Sequence, residues 1–271
     1  MSYYEEIGLK TEPFSSSPDP AFFYRSSAHN TALQRLEIAI RLKRGLSLVL
    51  GDVGTGKTTM LRTLVQSFAD DDKFTFHMIL DPSYKSEFQF LSSLVKMFGV
   101  KPDSRSTLNY KDEIQKYLFK KGVDEDKTVV LLIDEGQKLS TPFLEILRTL
   151  LNYETNEYKL LQLVIIAQME LLPRVKRLKN FYDRIMLKYI INPLDERDTK
   201  EMIAFRLMSA GLDSSRRLFT DGALRVIFEY SQGYPRKISI LCHDSLEMLV
   251  MNGDSMVDEG IVSACIKREI I

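Results

Sequence analysis

The chain has 271 residues, of which 44% are hydrophobic and 27% are charged, which is typical of a globular protein with one large domain or two smaller ones. Lysine and arginine together number 37, as do aspartate and glutamate, so the formal net charge is zero. The overall charge therefore gives no indication of a polyanionic partner, although a local basic patch is compatible with it. The two cysteines, Cys242 and Cys265, fall in helical patterns and no apolar stretch is long enough to span a bilayer, so we expect a cytoplasmic protein with reduced thiols.

The first part of the chain is predicted to contain an extended segment and one helix. Residues 1–30 are rich in aromatic residues, proline and serine, which favours a segment laid across a surface. Residues 29–44 carry apolar residues at near-helical spacing, which predicts a helix that ends at Gly45.

Strand and helix signals then alternate as far as Pro193. Strands are predicted at 46–50, 74–80, 128–133, 162–167 and 186–191. Helices are predicted at 57–69, 86–98, 109–121, 141–152 and 171–180. Strands separated by helices indicate a parallel sheet that is covered on both faces, and therefore an α/β fold.

After Pro193 the strand signals stop and helical periodicity takes over. Further helices are predicted from the N-cap Asp195 to about Ala210, from Thr220 to about Tyr230, at 235–251 and at 258–269. This pattern predicts a second, smaller domain made of helices.

Residues 51–58 read Gly-Asp-Val-Gly-Thr-Gly-Lys-Thr and match the phosphate-binding loop pattern G-x-x-x-x-G-K-[ST]. A predicted strand precedes the loop and a predicted helix follows it, which disfavours the alternative of an ordinary glycine turn. Lys57 is expected to reach the β- and γ-phosphates and the Thr58 hydroxyl to hold Mg²⁺, so the predicted cofactors are ATP and Mg²⁺. The residues predicted to bind the nucleotide are Asp52, Val53, Gly54, Thr55, Gly56, Lys57, Thr58 and Thr59.

Polar side chains follow two of the predicted strands. The apolar run 129–133 leads into Asp134 and Glu135, a Walker B pattern in which Asp134 holds Mg²⁺ through water and Glu135 polarises the attacking water. Alone, this pattern also suits a strand followed by an acidic turn, but the loop upstream favours the functional interpretation. Gln168 follows the strand 162–167 and is predicted to contact the γ-phosphate or the attacking water; a solvent-facing strand end is the alternative.

Two arginines are candidates for neutralising charge on the transferred phosphoryl group. Arg184 precedes the last predicted strand, and Arg236 stands at the start of a helix of the second domain. Spacing alone does not separate them from surface or capping arginines.

This combination of motifs resembles the AAA+ ATPases, and more closely the ExeA (general secretion pathway protein A) family among them. The stretches that carry the resemblance are 4–9, 12–14, 17–20, 51–59, 133–139, 161–171 and 233–238. They span nearly the whole chain in the family's order. Gly136 stands where the family often has alanine, and Ala167-Gln168-Met169 where it often has Gly-Gln-Pro. Secretion-type members continue into a membrane span and a peptidoglycan-binding region, and the expectation is a member of the family without these two parts.

The resemblance implies a P-loop NTPase core, an αβα sandwich with a five-stranded parallel sheet of order 5-1-4-3-2, and a C-terminal helical lid. The implied division is 1–45 for the N-terminal segment and its helix, 46–193 for the nucleotide-binding domain and 194–271 for the lid. It also implies catalytic roles for Lys57 and Glu135, together with Gln168 as sensor 1, Arg236 as sensor 2 and Arg184 as an arginine finger in a neighbouring subunit's site. A homo-oligomer follows from the last role, with a hexamer as the expected form.

Two functions are compatible with this resemblance. The first is an ATP-hydrolysing assembly factor for a secretion or pilus apparatus, with an inner-membrane partner. The alternative is a DNA-binding regulatory ATPase of the transposition type, supported by the basic residues Arg174, Lys176, Arg177 and Lys179. DNA is not the favoured partner, because such a run is more often a solvated face. A small-molecule kinase is disfavoured, since the Asp134–Glu135 pair suits water activation.

Overall fold

The computed structural model describes residues 2–15 and 17–269. Residues 1 and 16 of the predicted N-terminal segment, and residues 270 and 271 of the predicted lid, lie outside the described residues. In the described part of the chain, five parallel strands form one sheet in the order β2-β3-β4-β1-β5. The strands are β1 (Leu46–Gly51), β2 (Phe74–Ile79), β3 (Thr128–Ile133), β4 (Leu161–Ala167) and β5 (Ile185–Ile191). This is the order implied by the resemblance, 5-1-4-3-2, read from the other edge, and that prediction is confirmed.

The burial of each strand agrees with its position in the sheet. Every residue of β1, β3 and β4 is buried, as expected for apolar central strands with both faces covered. β2 is mostly half-buried, and β5 alternates between exposed and less exposed residues, as expected for strands at the two edges.

Helices make up most of the remaining structure. They are α1 (Tyr3–Glu6), α2 (Ser27–Arg41), α3 (Lys57–Gln66), α4 (Glu87–Met97), α5 (Thr107–Phe119), α6 (Thr141–Leu150), α7 (Leu171–Arg177), α8 (Lys179–Tyr182), α9 (Glu196–Ser209), α10 (Asp221–Ser231), α11 (Pro235–Asn252) and α12 (Glu259–Glu269). None of them, within the described ranges, has the length and apolar character needed to cross a membrane.

The described residues group into two compact units. The helical unit comprises the described residues within Met1–His29, Asp52–Met60 and Asn192–Ile271, and the sheet unit comprises Asn30–Gly51 and Leu61–Ile191. The phosphate-binding loop and the N-terminal segment therefore group with the C-terminal helices. The predicted division at residues 45 and 193 stays a prediction.

Each unit has its own core. In the sheet unit, Phe90 and Phe181 are fully buried among the apolar residues of the strands. In the helical unit, Ile7, Leu9 and Phe14 of the N-terminal segment are buried among residues of the C-terminal helices. The aromatic and apolar residues of this segment therefore serve to fasten it to the helices.

The predicted elements differ from the structure by up to three residues at their ends, and more substantially in three places. The N-terminal segment, predicted to be extended, contains α1 and a 3₁₀ turn at Pro20–Phe22, where the Asp19 carboxylate accepts from the Ala21 N–H at 2.9 Å. A π-helical turn, Lys120–Asp124, continues α5. The predicted helix 171–180 is broken at Leu178, whose φ of −94° and ψ of 73° are not helical.

Candidate nucleotide-binding site

The phosphate-binding loop is held in a glycine-dependent conformation. Gly54 and Gly56 have φ values of 83° and 87°, in the left-handed region that a side chain would strain. Two side chains of the loop donate to the carbonyl of Asp52: Thr55 Oγ1 at 2.9 Å and Lys57 Nζ at 2.6 Å. Because α3 begins at Lys57, the loop leads directly into a helix N-terminus, where backbone N–H groups favour an anion.

A buried histidine of the N-terminal segment fastens the same loop. His29 is only 1% exposed, and its Nε2 lies 2.9 Å from the Thr55 carbonyl oxygen, while its Nδ1 lies 2.8 Å from Ser26 Oγ. A carbonyl only accepts, so Nε2 carries the proton and the Ser26 hydroxyl donates to Nδ1. Burial lowers the pKa of His29 below its ordinary value, against the opposing effect of the Thr55 contact. The neutral ring is therefore the form that holds the loop.

The N-terminal end of α11 contacts the loop from within the helical unit. The backbone N–H of Arg236 donates to the Gly54 carbonyl at 3.2 Å, and the Tyr234 hydroxyl donates to Asp52 Oδ2 at 3.0 Å. The Asp52 hydrogen bond raises the pKa of Tyr234 above its ordinary value. The side chain of Arg236, the predicted sensor 2, is exposed next to these contacts.

In the sheet unit, the predicted Walker B residues lie where the strands end. Ile133 pairs with Ile165 and Leu50 pairs with Ala167, so the chain leaves β1, β3 and β4 at the same edge of the sheet. Asp134, which follows β3, is 4% exposed, and its Oδ1 accepts from the Glu135 N–H at 2.8 Å.

Glu135 adopts a backbone conformation that is rare for a residue with a side chain. Its φ is 52°, in the left-handed region, which costs on the order of 1–2 kcal/mol for a residue other than glycine. Strain of this kind is often found at functional sites, where the surrounding structure holds it in place.

The turn after Glu135 connects it with the end of β4. Gln137 Nε2 donates to Glu135 Oε2 at 2.5 Å, and Gln137 Oε1 accepts from the backbone N–H of Gln168 at 3.1 Å. Arg174 Nη1 donates to the carbonyls of Gln137 and Leu139 at 2.8 and 2.5 Å. The predicted residues Glu135 and Gln168 are thus joined through a side chain to which the sequence assigned no role.

Arg184, the predicted arginine finger, and the predicted basic run at 174–179 have different surroundings. Arg184 is half-buried in the turn before β5, and its N–H donates to the Phe181 carbonyl at 3.1 Å. Of the basic run, Lys176, Arg177 and Lys179 are exposed, whereas Arg174 is directed towards the turn described above. The basic surface is therefore smaller than the sequence indicated.

Sequence reasoning missed three residues of these networks: His29, Tyr234 and Gln137. Tyr234 and Gln137 lie inside stretches that carried the family resemblance, and His29 lies in the N-terminal segment. A polar residue inside a recognisable motif is the signal that could have pointed to Tyr234 and Gln137, whereas the neighbours of His29, Ala28 and Asn30, give no comparable signal.

Comparison with known proteins agrees with the fold. A family model described as AAA domain matches residues 40–175. General secretion pathway protein A of Aeromonas hydrophila is 34% identical over 263 residues, which make up 96% of this chain and 47% of that protein. The chain therefore spans about half of the length of this relative.

Two solved structures share the architecture at low sequence identity. The Aeropyrum pernix ORC2 protein in ADPNP–ADP complexes has a TM-score of 0.70 and 16% identity, covering 96% of this chain and 72% of that chain. The Drosophila ORC bound to DNA has a TM-score of 0.70 and 19% identity, covering 100% of this chain and 66% of that chain. At such identities the likeness concerns the fold alone.

Proposed function

The chain belongs to the AAA domain family, and from this premise we propose that it binds ATP with Mg²⁺ and hydrolyses it to ADP and phosphate. The observation that carries the proposal is the conformation of the phosphate-binding loop, with left-handed Gly54 and Gly56 and with Lys57 opening α3. This conformation suits a loop whose backbone amides face phosphate oxygens.

The donors present suit ATP and Mg²⁺. Thr58 and Asp134 would hold the metal, since a hydroxyl and a carboxylate are the oxygen ligands that Mg²⁺ prefers. The ion would offset the negative charge of the β- and γ-phosphates. The phosphates would be held by Asp52, Val53, Gly54, Thr55, Gly56, Lys57, Thr58 and Thr59.

The remaining predicted residues take roles in hydrolysis. Glu135 would accept a hydrogen bond from the attacking water and polarise it. Gln168 would contact the γ-phosphate or that water, and Arg236 would neutralise charge on the phosphoryl group. Arg184 is proposed to act in the site of a neighbouring subunit, which requires an oligomer, with a hexamer as the expected form.

We further propose that the ATPase supports the assembly of a secretion or pilus apparatus, with an inner-membrane partner, in the cytoplasm. Support comes from the 34% identity with General secretion pathway protein A of Aeromonas hydrophila. The alternative is a DNA-binding ATPase of the transposition type, which the exposed Lys176, Arg177 and Lys179 favour.

The ATPase proposal is tested by measuring steady-state ATP hydrolysis with Mg²⁺ for the wild type and for Lys57→Ala. We expect Lys57→Ala to lose nucleotide binding or hydrolysis, whereas the exposed Lys73→Ala serves as a control and keeps both. Equal activity of Lys57→Ala and wild type would contradict the proposal.

The two pathways are separated by repeating the assay with double-stranded DNA at low and moderate salt, while oligomer size is followed. Hydrolysis that is indifferent to DNA supports the assembly role. Strong, salt-sensitive stimulation with ATP-dependent filaments on DNA would favour the transposition-type role instead.

A further inference from the structure

In the sheet unit, the side chain of Gln137 connects two residues proposed to act in hydrolysis, Glu135 and Gln168. Its amide nitrogen donates to Glu135 Oε2 at 2.5 Å and its amide oxygen accepts from the Gln168 N–H at 3.1 Å. A glutamine can make both contacts at once because one end of its amide donates and the other accepts. A carboxylate or an apolar side chain at this position would lose one contact or both.

The backbone that carries Gln137 is held on both sides. A Cβ built on Gly136 would lie 2.5 Å from Ile165 Cγ2 and 3.1 Å from the Ile166 carbonyl oxygen, so this turn is packed directly against β4. From the other side, Arg174 donates to the Gln137 and Leu139 carbonyls. The amide of Gln137 is therefore presented from a fixed position.

Glu135 itself needs such a fixed partner. Its backbone is left-handed with φ at 52°, and its N–H is committed to Asp134 Oδ1. The carboxylate lies at the end of a flexible side chain, whose ordering costs conformational entropy. The contact from Gln137 holds Oε2 and leaves the lone pairs of Oε1 to accept from a water molecule.

We propose that Gln137 is a positioning residue for ATP hydrolysis: it orients the Glu135 carboxylate and ties it to the Gln168 backbone at the end of β4. The inference rests on the proposed function, since it requires that Glu135 polarise the attacking water. A displacement of Gln168 would pass to the carboxylate through this single side chain, so Gln137 links the predicted sensor to the predicted base. Gln137 acts through Glu135 and is not itself a catalytic residue.

Gln137→Leu removes both hydrogen bonds while keeping much of the side-chain volume. We expect kcat to fall by about tenfold or more, which is the effect of losing one hydrogen bond to a charged group. KM and the affinity for a fluorescent ATP analogue should stay at the wild-type values, because Gln137 lies in the turn after Glu135 and carries no proposed role in binding ATP. A kcat for Gln137→Leu equal to that of the wild type would overturn the inference.

Gln137→Glu separates positioning from packing. It preserves the shape and an acceptor for the Gln168 N–H, but places a second carboxylate beside Glu135. We expect low activity at neutral pH, because a carboxylate at this position cannot donate to Glu135 and repels it. Wild-type activity of this variant would overturn the inference even if Gln137→Leu failed to fold.

Two further variants complete the comparison. Lys138→Ala alters the next residue of the same turn, whose exposed side chain pairs with Asp81, and should keep the wild-type kcat. Glu135→Gln should lose hydrolysis. If Glu135→Gln is inactive while Gln137→Leu retains the wild-type kcat, only this inference fails; if the wild type itself hydrolyses no ATP, the proposed function fails with it.

Discussion

Replacing His29 by leucine is expected to loosen the phosphate-binding loop while every residue of the loop itself stays unchanged. The ring is 1% exposed and makes two hydrogen bonds, to the Thr55 carbonyl at 2.9 Å and to Ser26 Oγ at 2.8 Å. Each contributes about 1 kcal/mol net, and the buried Thr55 carbonyl left without this partner adds a further ~1 kcal/mol. We therefore expect His29→Leu to lower the free energy of unfolding by about 3 kcal/mol.

Ser26→Ala is the matched control, because it leaves the Thr55 carbonyl bound to His29. It removes the contact of Ser26 Oγ with Nδ1 and the hydrogen bond that Oγ accepts from the His29 backbone N–H at 3.3 Å, so we expect it to cost about 2 kcal/mol. The assay is urea unfolding of the three proteins at pH 7.5, together with titration of a fluorescent ATP analogue, whose affinity should fall further for His29→Leu than for Ser26→Ala.

The pH dependence gives the same experiment a second readout. Burial lowers the pKa of His29 from its ordinary value of 6.5, so the folded protein keeps the ring neutral where the unfolded chain already binds a proton. The free energy of unfolding of the wild type should therefore fall as the pH drops below 6.5. The difference in free energy of unfolding between wild type and His29→Leu should become smaller over the same pH range. A difference in free energy of unfolding that stays constant or grows at acid pH would refute the reasoning. Equal free energies of unfolding for the two proteins at pH 7.5 would refute it as well.

Three other substitutions test separate parts of the account. Gly136→Ala places a methyl group against β4 and should cost about 1–3 kcal/mol of stability, measured by urea unfolding; an unchanged midpoint would contradict the packing described for this turn. Tyr234→Phe removes the hydroxyl that donates to Asp52 and should weaken ATP-analogue binding, though less than Lys57→Ala; an affinity equal to wild type would mean that this contact does not shape the loop. Arg184→Ala should bind ATP without hydrolysing it, and mixing it with Lys57→Ala should restore hydrolysis, since the second protein supplies an intact arginine; mixtures that stay inactive would argue against action between subunits.

The strands and the phosphate-binding loop could be predicted because their signals are local. The apolar run 129–133 is buried throughout as β3, and the loop motif stands between β1 and α3 as its pattern requires. Strand order was not evident from local pattern and came only with the family resemblance, since pairing between strands depends on contacts distant in the sequence.

The break at Leu178 was missed for a related reason. Helical periodicity continues across residues 171–180, but Phe181 is buried in the core of the sheet unit, and the chain turns at Leu178 to place it there. Tertiary packing overrides local helical preference at this point.

The networks around the loop and the Walker B turn depend on distant partners. His29 and Thr55 are 26 residues apart, and Gln137 and Gln168 are 31 residues apart. The sequence shows that these side chains are present, but it does not show which backbone group each of them contacts. The same limit applies to Arg174, which counted as part of a basic face although it donates to backbone carbonyls.

The most direct test of the central proposal is to identify the nucleotide that remains bound to Glu135→Gln. The variant and the wild type are incubated with Mg²⁺ and radiolabelled ATP, passed through a desalting column and analysed for ATP and ADP. We predict that Glu135→Gln retains ATP, because its amide no longer polarises the attacking water, and that the wild type retains ADP or releases product. Conversion of ATP to ADP by Glu135→Gln at the wild-type rate would contradict the proposed role of this turn.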